Sequence, residues 1–204
     1  MSKRKIFVLA IVIAFVLIIG GMLAYFTDTD TKENVFTLGD EVNISLTEQW
    51  NAADGLGLHP GAVVTKAPKI VNNSTTTPAY VFAEVIVPCY ASTGTTANTP
   101  LFTLNTIGEG WTKISTNETV NTENKTITYV YAWGSSTAMS QLNAEATTTT
   151  SVFSSVTLAP TLTKQQQLTA GETTNIIVNA YGIQTDNLGT TAPTEIYNLA
   201  KPNA

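Results

Sequence analysis

The sequence predicts an all-β protein: an antiparallel β-sandwich, jelly-roll-like, preceded by an N-terminal signal or transmembrane helix. Three observations predict it. Short segments of alternating apolar and polar residues recur along the chain, with turn residues between them. Threonine occurs 36 times, and its β-branched side chain, stiff at χ1, suits the solvated face of a pleated sheet. Beyond the N-terminus no long stretch carries helical periodicity, and no alternation of strand and helix suggests a parallel sheet.

The N-terminus reads as an address. Lys3, Arg4 and Lys5 precede an apolar run from Ile6 to Ile19, followed by Gly20, Gly21, Met22, Leu23 and Ala24. Positive charge, then an apolar core, then small residues is the secretory pattern, with cleavage expected between Ala24 and Tyr25. The apolar length also nears a bilayer span, so a retained anchor is the competing expectation. In either case the basic end stays cytoplasmic and the rest lies outside the membrane. Residues 1–24 are thus the expected signal peptide, 25–39 an N-terminal extension, 40–191 the sandwich domain and 192–204 a loosely held C-terminal tail.

Within the domain, Val42, Ile44 and Leu46 alternate with Asn43, Ser45 and Thr47, which predicts a half-buried strand. Lys69–Asn72 reads as a short strand. Ala79–Val87 is mostly apolar on both faces and therefore central, with Pro88 expected to end it. Ile127, Tyr129, Tyr131 and Trp133 share one face of Thr126–Trp133, and four large side chains on one face require a facing sheet. Val152–Leu158 is a further strand whose phase slips near Ser154 and Ser155, as at a bulge. Ile176–Ile183 is the last strong strand, and Ala138–Ala146 is expected to form one short helix. Leu-led polar turns at 58–61, 142–145 and 168–172 each precede a strand, at an irregular period that argues against a solenoid.

Charge and chemistry narrow the function classes. Without residues 1–24 the chain carries seven basic and fifteen acidic residues, a net of −8, and no arginine. No basic stripe is left to hold nucleic acid or an anionic membrane, so the membrane is expected to matter only through the N-terminal segment. Cys89 is the only cysteine, which excludes a disulfide framework, and it reads as a small buried residue of a strand. His59 is the only histidine, placed before Pro60-Gly61 in a turn. There is no HExxH pair, no GxSxG elbow, no phosphate-cradling glycine loop and no dinucleotide fingerprint. Asp28-Thr29-Asp30-Thr31-Lys32-Glu33 begins like a calcium loop, then places Lys and Glu where such a loop needs a ligand and glycine. The expectation is a protein without catalytic residues, metal or cofactor.

Gly20-Gly21-Met22-Leu23-Ala24-Tyr25-Phe26-Thr27-Asp28, then Asn34-Val35-Phe36-Thr37-Leu38-Gly39 and Val42-Asn43-Ile44-Ser45-Leu46, resemble the TasA/camelysin family. Pro60-Gly61 through Asn72, Ala79-Tyr80-Val81 and Ala180-Tyr181-Gly182-Ile183-Gln184 match it more generically. The resemblance implies export through a SipW-type signal peptidase, a jelly-roll fold and a place in the extracellular biofilm matrix. It also implies assembly with further copies or related matrix subunits, the N-terminal segment of one completing the sheet of the next. By position the donor lies within Tyr25–Gly39, with Phe26, Val35, Phe36 and Leu38 as anchoring side chains. Two alternatives stay open at this point. Residues 25–34 are a free terminus and 35–46 the domain's own first strand, or the protein is a surface adhesin using exposed aromatics such as Trp50 or Trp111. A camelysin-like metalloprotease is the third reading, and the single histidine argues against it.

Overall fold

The structure is a computed structural model that describes residues 41–91, 98–114, 119–121, 126–163 and 175–201. Ten strands run β1 (Ile44–Trp50), β2 (Val63–Asn72), β3 (Ala79–Ala91), β4 (Asn98–Pro100), β5 (Phe102–Ile107), β6 (Trp111–Lys113), β7 (Thr119–Asn121), β8 (Thr126–Trp133), β9 (Phe153–Leu158) and β10 (Ile177–Gln184). A 3-10 turn covers Ala52–Gly55, and helix α1 spans Pro193–Ala200. Sheet I has the order β1-β2-β9-β5. Sheet II has the order β10-β3-β8-β6, with β4 added to the end of β3 and β7 to β8. Every pairing is antiparallel.

The two sheets bury one core between them. Val81, Ala83, Val85 and Val87 point inward from β3 and meet Val64 and Ile70 of β2, Phe102 of β5, and Phe153, Val156 and Leu158 of β9. Tyr131 joins this core, with Tyr129 and Trp133 packed against it, so the aromatic face of β8 has the facing sheet that its pattern requires. The opposite face of sheet II is also covered. Phe82, Ile114, Val130 and Ala132 lie beneath Ile196 and Tyr197 of α1. β3 is therefore buried on both sides, as its mostly apolar run predicts.

Four local expectations are corrected. β3 does not stop at Pro88 but continues to Ala91. The ladder from β10 ends at Ile86, so a residue without an N–H at 88 breaks no pairing on that side. The stretch 138–146 is not a helix. Leu142 exchanges backbone hydrogen bonds with Ala79 at 2.8 and 2.9 Å, and Ala146 accepts one from the Asn72 amide. A nine-residue helix is marginal by itself, and these tertiary partners outcompete it. The phase slip in β9 is real, since Phe153, Val156 and Leu158 are the buried positions, but no residue is inserted. The register to β5 is constant from Phe102–Leu158 to Ile107–Phe153, and the distortion sits across the ladder at Thr106, with φ +48°. Finally, the segment expected to be a loose tail is helical over 193–200. Proline at its first turn presets φ, and Pro193, Ile196, Tyr197 and Ala200 form the spaced apolar stripe that docks.

Asn72 ties the loops at one end of the sandwich together. It is fully buried. Its Nδ2 donates to the carbonyls of Thr77, Leu142 and Asn143 at 3.0–3.2 Å, and its Oδ1 accepts from the Ser74 amide at 3.1 Å. An apolar residue there removes one donor from each of these three carbonyls and the acceptor of the buried Ser74 amide.

Phe153→Ala is expected to cost about 3–5 kcal/mol through cavity formation. Asn72→Ala is expected to cost about 1–3 kcal/mol through the lost hydrogen bonds of a buried side chain. Urea unfolding of the two variants checks both values.

Candidate functional site

The residues singled out for cleavage and assembly, Ala24, Tyr25, Phe26, Val35, Phe36 and Leu38, lie outside the described residues, as does the acidic stretch Asp28–Glu33. The described chain begins at Glu41, where it is tied down at once. The Asn43 amide donates to Ser74 Oγ at 2.9 Å, Ser74 Oγ donates to the Glu41 carbonyl at 3.2 Å, and the Asn73 amide donates to the Asn43 carbonyl at 2.8 Å. Val42 and Ile44 then pack on the inner face of β10. A Cβ at Gly182 would stand 2.3 Å from Ile44 Cγ1, so only glycine admits the approach. The entry of the chain into the domain and strand β10 thus lie side by side.

An open strand edge offers unpaired N–H and C=O groups to an added strand, and proteins usually blunt it with charge, proline, shortness or a kink. The edges here differ in this respect. β6 and β7 are three residues each. β5 carries the left-handed Thr106. β1 carries Glu48, paired with Lys66 of β2 at 2.7 Å. β10 has none of these devices. Its eight residues, Ile-Val-Asn-Ala-Tyr-Gly-Ile-Gln, include no charge and no proline, and among the described residues it pairs on one side only, with β3. Ile177 at its start is 49% exposed, an apolar side chain on an unprotected edge.

The outer face of β10 meets the one buried carboxylate of the described residues. Glu84 is 4% exposed and sits opposite Asn179 in the ladder. Its Oε1 accepts from Asn179 Nδ2 at 3.2 Å and from Tyr181 Oη at 3.3 Å, both on β10. Its Oε2 accepts from Tyr197 Oη at 2.6 Å, on α1, and from Lys201 Nζ at 2.6 Å, one residue past its end. Burial pushes the Glu84 carboxyl up, but the hydrogen bonds from Lys201, Tyr197 and Asn179 and the Lys201 charge together outweigh it. The group is held below its ordinary value of 4.5. Burial and the bond to Glu84 push the Tyr197 phenol strongly upward, so it stays a donor. A carboxylate occupied on both oxygens is a poor general base, and its chemistry here is that of a clasp.

The other candidates fall out as follows. His59 lies exposed in the turn before Pro60, and its carbonyl accepts from the Ala62 amide. Cys89 is buried in β3, and burial pushes its thiol up, away from a reactive thiolate. Trp111 is core, edge-on to Trp133 at 5.2 Å, whereas Trp50 is 44% exposed with Lys66 Nζ 5.4 Å above its ring. Among the described residues no three His, Cys, Asp or Glu side chains converge to hold a metal, and no helix is long and apolar enough to cross a membrane. Sequence reasoning missed Glu84. Its only signal was a lone charge in the apolar run Ala79–Val87.

A family model described as Camelysin metallo-endopeptidase matches residues 2–187. No curated protein and no solved structure matches the chain.

A carboxyl held below 4.5 contributes stability that is complete above that pH and is lost as pH falls through its folded value. The stability gap between wild type and Glu84→Gln is therefore expected to narrow below pH 4.5, read by urea unfolding across pH. At neutral pH, Tyr197→Phe is expected to cost about 1.5–3 kcal/mol, the value of a hydrogen bond to a charged group.

Proposed function

The chain belongs to the camelysin family, and from that premise we propose that it is a secreted structural protein of the extracellular matrix whose copies join by N-terminal strand donation onto β10. Cleavage between Ala24 and Tyr25 by a SipW-type peptidase would free residues 25–39 as the donor. Phe26, Val35, Phe36 and Leu38 are the side chains available to anchor it. The observation that carries the reading is the edge of β10, long, uncharged and paired on one side only among the described residues. A strand added there satisfies the free backbone groups of both partners. A head-to-tail contact of this kind does not close on itself, so it extends into a fibre. In this reading the sandwich is of jelly-roll type, and partners are further copies or related matrix subunits.

The family description includes a metal-dependent peptidase activity, and the residues do not fit one. A catalytic zinc takes three protein ligands, most often histidines, and keeps a position for water. This chain has one histidine, in an exposed turn, and its described carboxylates do not converge.

Electron microscopy of the chain begun at Tyr25 and at Asp40 tests the reading. Filaments are expected from the first and none from the second. Filaments from both would remove the donor assignment. Folded monomers from both would remove self-assembly and favour a binding module with Trp50 as a contact. In the longer chain, Ile177→Lys is expected to abolish filaments while changing monomer stability by no more than about 0.5 kcal/mol, as for most exposed positions.

A further inference from the structure

We propose that helix α1 is a strap that, fastened through Glu84, holds β10 in the form a second copy's strand can add to; this rests on the assembly reading above.

The two oxygens of Glu84 are divided between two elements. Oε1 takes both of its hydrogen bonds from β10, through Asn179 and Tyr181, and Oε2 takes both of its bonds from the C-terminal end of α1, through Tyr197 and Lys201. Glu84 itself stands on β3, the strand that pairs β10. One carboxylate therefore joins the central strand, the edge strand and the helix. Tyr197 and Lys201 are four residues apart, so they project from the same side of the last helical turn. The rings reinforce the joint. Tyr197 lies edge-on to Tyr181 of β10 at 6.0 Å and to Phe82 of β3 at 5.4 Å, and Lys201 Nζ sits 5.9 and 5.8 Å above the Tyr181 and Tyr197 rings.

This joint matters more for β10 than for any inner strand. A strand laddered on one side has half the backbone bonds of an inner one and opens first. Each of its residues is at least partly exposed. Its outer-face side chains Asn179 and Tyr181 are held by the clasp, and Tyr181 and Ile183 pack in the apolar cluster under α1. The helix reaches back over this face through a turn with Asn187 at φ +60° and Gly189 at φ +71°, so the strap follows directly from the strand it holds. With α1 undocked, Phe82, Val130 and Ala132 lose their cover, and Glu84 loses the Tyr197 hydroxyl and the Lys201 charge. β10 would then keep the β3 ladder, its inner-face packing and the Oε1 bonds, but its outer face would lose the cover and half of the clasp that fix it. An edge that frays is a poor template, because the incoming strand must order it as well as itself. Glu84 is in this sense a positioning residue for assembly.

Hydrogen exchange of the folded, monomeric chain begun at Tyr25 tests the strap apart from assembly, with Tyr197→Phe as the mildest variant and Glu84→Gln as the second. Amides of 177–184 are expected to accelerate in both by about tenfold or more beyond any change in those of β9 on the other sheet. Filament growth is expected to slow in the same order. Faster exchange in 193–200 alone, with 177–184 unchanged, would show a mere cover and overturn the strap. Equal acceleration in β9 would show general destabilisation and overturn it as well. Loosened β10 with undiminished filament growth would overturn the link to assembly. If wild type forms no filaments while 177–184 still respond, the strap stands and the assembly reading fails.

Discussion

A charge buried on a central strand has to be answered by its neighbours, and in this protein that demand organises one whole side of the molecule. β3 is covered on its inner face by sheet I and on its outer face by α1, and Glu84 is its only charged residue. An unpaired carboxylate there would be strongly unfavourable. Four donors from β10 and the C-terminal segment answer it, and in doing so they place the helix, the edge strand and the apolar cluster of Phe82, Val130, Ile196 and Tyr197. The ion pair with Lys201 is partly open to water on the lysine side, so geometry and hydrogen bonding carry more of the joint than bare attraction.

The same side of the molecule holds the edge on which the assembly proposal rests. Three kinds of edge in this sandwich are blunted by shortness, by a left-handed residue or by charge. The fourth is plain β-strand. A plain edge is a hazard unless something is meant to add to it. At the start of the described residues, Val42 and Ile44 pack on Gly182 of that strand. Both features follow from side chains chosen at single positions. Gly182 admits the close approach, and over 177–184 no Lys, Glu or Pro guards the side of the ladder that is unpaired among the described residues.

Much of the sandwich was legible in the sequence. The alternation at 42–47, the aromatic face of 126–133 and the double-sided apolar run at 79–87 each report burial through a period of two, which needs no knowledge of the partner. The errors came where a distant partner decided the outcome. At 138–146 a helical composition lost to backbone bonds with Ala79 and Asn72. At Pro88 the strand continued because β10 had already left it. At 193–200 the stripe of Pro193, Ile196, Tyr197 and Ala200 was present, but at two turns it was too short to stand out. The clasp was invisible for the same reason. Glu84, Asn179, Tyr181, Tyr197 and Lys201 span more than a hundred residues and form no motif.

The sequence by itself determined the class of the fold and most strand positions, because side-chain alternation and turn chemistry are local properties of the chain. The order of charged, apolar and small residues at the N-terminus is local too, and the expectation of export rests on it. Only the tertiary structure decided which strand is left at an edge among the described residues, that a helix closes the outer face of sheet II, and that one carboxylate joins the two. Those outcomes depend on which residues far apart in the chain meet, and on backbone groups choosing among partners that no local pattern reveals.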